Sequence, residues 1–266
     1  MSVDVWLKKA GGGFINLKEV DGKPRVSSTP YLFDIAANKI DGHYPLNKFG
    51  YNSTLPTSYE DVWDGSAVYT YTATPVEMHC SSSNATDTQE IEVEGLDGSW
   101  HHQTITQTLA GQTETLIGSA DTLWMRVFRI RNLGSTNNAG VIYVYENDTV
   151  TAGVPDTASK IRAQIAIGNN QTLMALWTVP AGTKAYMTDF FSSTSSTKLV
   201  TIGLFVRPYG GVFQIKHLEA FSQTRFQHRF ELPVRIEAKS DITIKAKVTV
   251  AGGDCYAGFN LWYEID

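Results

Sequence analysis

The order of apolar and polar positions predicts a chain that is almost entirely β. From about residue 66 onward, short runs rich in Val, Ile, Thr, Tyr and Phe alternate with turn clusters. The clearest run is EIEVEGLD, where Ile91 and Val93 alternate with glutamates, as in a half-buried strand. About ten to twelve such runs follow one another, which favours an all-β, antiparallel β-sandwich of jelly-roll-like type. The alternatives are an immunoglobulin-like sandwich and two smaller β modules.

The remaining runs place the other elements. One short helix is expected in PYLFDIAANKI, after Pro30 and before Asp41-Gly42. Further strands are expected in AVYTYTA, HHQTITQTLAG, TLWMRVFRIRNLG, VIYVYEND, three pieces between 160 and 193, a hairpin around Pro208-Tyr209-Gly210-Gly211, and three or four runs after residue 224.

The segment 42–65, GHYPLNKFGYNSTLPTSYEDVWDG, shows neither a helical nor a strand period. We therefore expect an irregular N-terminal arm at 1–58 and a β-sandwich body at 59–266, either a single sandwich or divisible into two β modules. One interpretation of the arm is a strap that packs on its own domain and covers a sheet edge. The other is a docking segment whose anchors on a neighbouring subunit are Tyr44, Leu46, Phe49, Tyr51 and Trp63.

Composition and charge narrow the class of protein. Hydrophobic residues make up 42% of the chain, enough for a sizeable core. The net charge of −5 lacks the basic excess of a nucleic-acid-binding domain. No secretory signal and no apolar stretch of membrane-spanning length is visible, so neither nucleic acid nor membrane is expected as a partner.

Candidate chemistry is sparse. Cys80 and Cys255 lie far apart and are expected as small buried side chains, with a disulfide as the alternative. The histidines lack metal-ligand spacing, and the nucleophile-elbow, P-loop and dinucleotide motifs are absent. No catalytic residue, metal or cofactor is therefore predicted. Three glutamates on one strand face could serve a glycosidase but are more simply a solvated face: Glu90, Glu92 and Glu94.

Two further patterns leave alternatives open. In RFQHRFELPVRI, three side chains share one strand face, with the arginines and Gln227 on the other: Phe226, His228 and Phe230. The polar face fits either an interface or solvent. Four tryptophans could offer stacking surfaces for sugars: Trp63, Trp100, Trp177 and Trp262.

Three blocks of the chain resemble a family of tailed-bacteriophage virion proteins. These blocks are LNKFGYNSTLPTSYEDVWDG, TVPAGTKAYMTDF and FQHRFELPVRIEAKSDITIKA. Family members join an "NKFG-N" and "E-D-W-D-G" block to an all-β body that ends in a "P-x-R-I-x-x-x-S-D-I" strand pair. The resemblance covers about residues 35–265. It implies a structural part of a phage virion, assembled in the host cytoplasm, and carries over no catalytic residue.

The expected function is therefore non-enzymatic. The chain is predicted to be a capsid decoration or cement protein, with the major capsid protein or other virion proteins as partners. It would bind the outer head shell through its N-terminal arm and self-associate, a trimer being favoured. The alternatives are a tail, collar or fibre-associated protein, a carbohydrate- or receptor-binding β-sandwich module, and an enzyme of glycosidase or esterase type.

Overall fold

The computed structural model describes residues 31–265 throughout and, before them, the short stretches 6–8, 14–16, 19–20 and 23–24. The chain divides into two compact units, 1–41 and 42–266. In its described residues, the first unit has two antiparallel strand pairs and one helix. Its elements are β1 Trp6–Lys8, β2 Phe14–Asn16, β3 Glu19–Val20, β4 Lys23–Pro24 and α1 Tyr31–Ala36. The predicted helix after Pro30 is confirmed.

The second unit is built from β-strands. Among the described residues, 53% lie in strands and 4% in helices, and every paired strand is antiparallel, so the all-β prediction is confirmed. Its first nine strands are β5 His43–Asn52, β6 Glu60–Asp61, β7 Met78–Ser82, β8 Glu90–Asp97, β9 His102–Thr108, β10 Thr115–Leu116, β11 Trp124–Asn132, β12 Ile142–Glu146 and β13 Val150–Thr151. The rest are β14 Val154–Pro155, β15 Ile161–Ile165, β16 Leu176–Thr178, β17 Thr183–Ser193, β18 Val200–Arg207, β19 Gln214–Phe221, β20 Arg225–Ile236, β21 Asp241–Val248 and β22 Cys255–Ile265.

Four principal sheets contain these strands in the described part of 42–265. Their strand orders are β10-β7-β12-β15, β11-β8-β9, β16-β21-β18-β19 with β6 added beside β21, and β20-β17-β22-β5. Strands β13 and β14 form a small separate hairpin. A single sandwich would have two sheets, so this unit contains more sheets than that prediction requires.

One hydrophobic cluster joins the sheets of this unit. In the sheet pair formed by β5 and β16–β22, Phe190 of β17, Phe259 of β22 and Ile244 of β21 are fully buried. Aromatic contacts cross between the two sheets: the rings of Trp177 on β16 and Tyr263 on β22 lie 5.4 Å apart. The predicted burial of Cys80 and Cys255 is confirmed, since both are free thiols without exposed surface, and burial raises the pKa of each to about 12.

The predicted strand runs other than AVYTYTA all form strands. That run pairs with no strand, although Tyr69 is buried. The Tyr69 N–H donates to the Asp61 carboxylate at 2.9 Å, and its hydroxyl donates to the Val127 carbonyl at 3.0 Å. Hydrogen bonds to a side-chain carboxylate and to a backbone carbonyl thus take the place of strand pairing in this run.

The expectation that 42–65 contains no regular element is wrong. Residues 43–52 form β5, a ten-residue strand that pairs with β22 from Glu264↔His43 to Cys255↔Asn52. Pro45 fits because β5 is an edge strand with a paired neighbour on one side only. On the unpaired side, a missing N–H costs no ladder hydrogen bond. The irregular arm predicted for 1–58 therefore includes a strand of the second unit, which begins at Gly42.

The EDVWDG part of this segment is built into the fold. Asp61 is fully buried and accepts hydrogen bonds from the Thr243 hydroxyl at 2.6 Å and the Lys245 ammonium at 3.3 Å. The Trp63 indole N–H donates to the Ala67 carbonyl at 2.7 Å. These bonds connect residues 61–63 to β21 and to the loop that contains Ala67, which gives the block a structural role.

Asp64, in the same block, is expected to make stability depend on pH. Burial raises the pKa of its carboxyl to about 7, and the Leu173 N–H, which donates to Oδ2 at 2.7 Å, opposes part of that rise. The unfolded value is about 3.9, so the unfolded chain loses this proton first. The stability contributed by the protonated carboxyl is present below the unfolded pKa and is lost as pH rises through about 7.

Asp64→Asn should therefore be more stable than the wild type at pH 8.5 and close to it at pH 4. We expect the difference between the two proteins to grow by about 1–2 kcal/mol across that range, after allowance for the solvent that still reaches the carboxyl. Urea unfolding followed by tryptophan fluorescence measures it. Asp156→Asn, at an exposed side chain, is the control. A difference that does not change with pH would contradict the prediction.

Candidate binding surfaces

One face of the β20-β17-β22-β5 sheet is aromatic and points away from the core. In β5 and β22 the directly paired residues Tyr51 and Tyr256 stack with ring centroids 4.3 Å apart. In β17 and β22 the paired residues Tyr186 and Trp262 stack at 4.2 Å. We define the outer aromatic face by these four side chains together with Phe49 and Phe191, whose partner in both ladders is Gly258.

The strand register explains this face. Side chains alternate across a strand, so β5 sends one set inward and the other outward. The inward set is Tyr44, Leu46, Lys48, Gly50 and Asn52, and the outward set is His43, Pro45, Asn47, Phe49 and Tyr51. The last three inward residues are buried although none is a large apolar residue, while Phe49 is 38% exposed.

The five predicted docking residues fall in three environments. Phe49 and Tyr51 lie on the outer aromatic face. Tyr44 and Leu46 are on the inward side of β5, where Leu46 packs on the core and the Tyr44 ring stacks on Tyr263 at 5.3 Å. Trp63 is 3% exposed within the core. Trp63 is therefore unsuited to anchoring a neighbour, and that part of the prediction is wrong because the indole is already buried and hydrogen-bonded.

The four tryptophans considered for sugar stacking also lie in different environments. Trp177, like Trp63, is buried in the core. Trp262 belongs to the outer aromatic face, and Trp100 lines the pocket described below. Only two of the four thus have ring surface to offer.

Lys48 lies buried beneath the outer aromatic face. Its ammonium donates a hydrogen bond to the Phe128 carbonyl. Burial, and then the nearby Arg129 guanidinium, hold the pKa of Lys48 well below its usual value, while Glu94 acts in the opposite direction. Burial would raise the pKa of Glu94, but the His102 hydrogen bond and the Arg129 charge keep it below its usual value. Glu94 is therefore a structural ion-pair member.

The β20 face predicted in RFQHRFELPVRI is confirmed. Phe226, His228 and Phe230 are half-buried on one side, and Arg225, Gln227 and Arg229 are exposed on the other. The buried side meets β19, where the His217 and His228 rings stack at 4.2 Å. Whether the exposed arginines meet a partner stays a prediction.

A second candidate site surrounds Asp241, a 3% exposed carboxylate at the start of β21. Arg126 donates to it from Nε at 2.9 Å, and Arg207 donates from Nε at 2.9 Å and from Nη2 at 2.5 Å. The Thr178 hydroxyl completes the set at 2.6 Å. One carboxylate therefore orients two guanidinium groups.

These guanidiniums border a cavity of about 330 Å³, here called the Asp241 pocket. Its wall also contains Trp100, Tyr209 and Lys239. The Arg126 guanidinium lies 4.7 Å from the Trp100 ring centroid, and the Lys239 ammonium lies 5.2 Å from that of Tyr209. The Trp100 and Tyr209 rings meet edge to face at 5.5 Å.

Two side chains of the pocket wall are carried by left-handed backbone. Trp100 has φ +69° and Lys239 has φ +62°, conformations that residues with a Cβ adopt at a cost. The turn at Trp100 is held by Asp97, whose Oδ1 accepts the N–H groups of Ser99 and His101, each at 2.8 Å. The strain therefore lies where an aromatic ring and a cation are presented to the cavity.

The described residues contain no group of three His, Cys, Asp or Glu side chains placed to hold a metal ion. Within the same described part, no helix is long and apolar enough to cross a membrane.

Comparisons with known proteins give remote likenesses. No family model and no curated protein matches the chain. Among solved structures, an isomalto-dextranase of Arthrobacter globiformis T6 complexed with panose matches at 12% identity and a TM-score of 0.25. That match covers 84% of this chain and 35% of the dextranase, so the chain spans about a third of that protein.

A second likeness is viral. The VP2 subviral particle of infectious bursal disease virus matches at 9% identity and a TM-score of 0.20, over 89% of this chain and 77% of VP2. The Gx strain of that virus matches at 9% identity and a TM-score of 0.22, over 89% and 82%. At these TM-scores neither likeness contributes to the arguments below.

Proposed function

We propose that this chain is a non-enzymatic structural component of a phage virion, in first place a capsid decoration or cement protein. It would dock on the major capsid protein or another virion protein and self-associate, with a trimer favoured. The observation that carries the proposal is the outer aromatic face, on which Phe49 and Tyr51 of the family-like block lie beside the rings of β17 and β22. Partly exposed aromatic rings are the side chains most enriched at interface hot spots.

We also propose that β5 and β16–β22 form a jelly-roll-like sandwich. With β5 as the first strand and β16–β22 as the next seven, the orders β20-β17-β22-β5 and β16-β21-β18-β19 are those of the two sheets of a jelly roll. Residues 53–175 are then an insertion between the first and second strands. Viral capsid domains use this architecture, and so do lectins.

The insertion supports the same interpretation. Its orders β10-β7-β12-β15 and β11-β8-β9 repeat the orders β20-β17-β22-β5 and β21-β18-β19 of the first sandwich, although β16 has no counterpart and β15 follows β12 in the chain whereas β5 precedes β17. Counted as four blades, the sheets would instead suggest a propeller-like ring. Propeller blades are usually consecutive strands paired in sequence, whereas here strands distant in sequence pair in all four sheets.

The docking proposal predicts that a double substitution, Phe49→Ser with Tyr256→Ser, prevents incorporation into particles. Each side chain is more than a third exposed, so the fold should persist, while two aromatic anchors are lost. At about 2 kcal/mol for each anchor, occupancy below saturation should fall by a factor of ten or more. The measurement is binding of purified protein to phage heads that lack it, followed by gel quantification.

The matched control is Val68→Ser, which removes an exposed apolar side chain outside the face. Incorporation of the double variant at the wild-type level would overturn docking through this face. Deletion of 1–58 is a poorer test because it removes β5 from its sheet. Density at the outer head surface in cryo-electron microscopy of the virion would support decoration, and density at the tail vertex alone would favour a tail, collar or fibre role.

A carbohydrate- or receptor-binding module is the second candidate. It is favoured by the Asp241 pocket, whose wall contains the aromatic rings of Trp100 and Tyr209 together with arginine and lysine side chains.

A further inference from the structure

The Asp241 pocket carries an excess of positive charge. Arg126 and Arg207 share a single carboxylate, and Lys239 has no carboxylate within ion-pair distance among the described residues. Its ammonium faces two aromatic rings, at 6.0 Å from the centroid of Trp100 and 5.2 Å from that of Tyr209. With three cations and one anion, the wall has a net charge of about +2, which attracts an anion.

The donors that remain are suited to a carboxylate. The Arg207 side chain is 27% exposed and directs Nε and Nη2 at Asp241, which leaves Nη1 as a donor. Lys239 adds an ammonium with three donors. Because Asp241 fixes the guanidinium plane, Arg207 is already oriented before a ligand arrives, which reduces the entropy lost on binding.

The aromatic side of the pocket limits the shape of the ligand. Tyr209 is 64% exposed, so its ring is open to a ligand. The Trp100 and Tyr209 planes meet at 85°, which leaves no parallel slot between them for a flat base. One open ring face suits the C–H face of a saturated ring. The cavity of about 330 Å³ lies at the small end of ligand pockets, the size of a single-ring ligand.

From these features we propose that the Asp241 pocket binds a carboxylated sugar, with the carboxylate on Lys239 and Arg207 and the sugar ring against Tyr209. Hexuronic and sialic acids share this chemistry. The proposal concerns a site separate from the outer aromatic face. It is tested on the isolated chain, so its failure and the failure of particle docking are distinguishable.

Isothermal titration of the full chain with glucuronate, N-acetylneuraminate, glucose and the methyl ester of glucuronic acid tests the charge requirement. At least one of the two acids should bind at least tenfold more tightly than glucose, and the ester should bind like glucose, because a charge-assisted hydrogen bond is lost. Binding should also weaken as salt is raised. Equal affinity for glucose and both acids would overturn the proposal.

Variants locate the site. Lys239→Gln and Tyr209→Ser should each weaken binding of the preferred acid about tenfold or more, with unchanged circular dichroism. Lys247→Gln is the matched control, since that ammonium lies 4.6 Å from the Tyr59 ring but outside the pocket. Uridine monophosphate and inorganic phosphate are the competing ligands. Tighter binding of either one, or wild-type affinity in both pocket variants, would overturn the proposal.

Discussion

Asp241→Ala is expected to lower the free energy of unfolding by about 3–5 kcal/mol. The Arg126 side chain is almost fully buried and pairs with Asp241, which also accepts from Arg207 and Thr178. Without the carboxylate, a buried guanidinium keeps its charge and loses its counter-ion. The cost comes mainly from that uncompensated charge.

Urea unfolding with tryptophan fluorescence measures the loss, with the slope checked for a change in cooperativity. The control is Glu237→Ala, which breaks the exposed Arg235–Glu237 pair and should cost about 1 kcal/mol or less. The double variant Arg126→Met with Asp241→Ala should recover part of the loss, because it removes the buried charge as well. A loss below 1 kcal/mol for Asp241→Ala would contradict this account.

Strands such as β8 could be predicted from the sequence because their apolar residues lie on the core side and their polar residues lie on the other side. In β8, Ile91 and Val93 are buried, and Glu92 between them forms an ion pair with Arg131. Such alternation is local, so it can be recognised without knowing the neighbouring strand. The sequence signals that predict the helix after Pro30 are equally local.

Strand β5 could not be found in this way because its alternation changes phase within the strand. Its apolar residues lie first on the core side, at Tyr44 and Leu46, and then on the outer side, at Phe49 and Tyr51. The polar inward residues are satisfied by groups outside β5: Lys48 by the Phe128 carbonyl, and Asn52 by Glu60. Because the alternation does not continue across that change of phase, the ten residues show no single strand period.

The Asp241 pocket was invisible for a different reason. Its residues come from parts of the chain far apart in sequence, Arg126 and Asp241 being 115 positions apart. An irregular register in β11 between Trp124 and Arg126 accompanies the burial of the Arg126 side chain. The Pro208-Tyr209-Gly210-Gly211 turn was predicted as a hairpin turn, but nothing local indicated that it borders a cavity.

Gly50 should tolerate no larger side chain. A Cβ at this position would lie far inside van der Waals contact of the Val62 carbonyl oxygen and the Ala175 amide nitrogen, and 3.1 Å from the Ala175 Cβ. Those two backbone groups hydrogen-bond to each other at 2.9 Å. The inward side of β5 therefore lies directly on a backbone hydrogen bond, and only a residue without a side chain leaves room for it.

Gly50→Ala is accordingly expected to cost about 3–5 kcal/mol, the sum of overpacking against backbone and a weakened buried hydrogen bond. The φ of Gly50 is outside the left-handed region, so steric exclusion alone accounts for the loss. Gly98→Ala, where the nearest atoms belong to the Pro75 side chain at 3.2 Å, should cost about 0.5 kcal/mol or less. Thermal unfolding of both variants measures the contrast. Equal stability of the two would show that β5 can move away from residues 62 and 175, whereas a selective loss at Gly50 would assign the glycine of the NKFG block to this close approach.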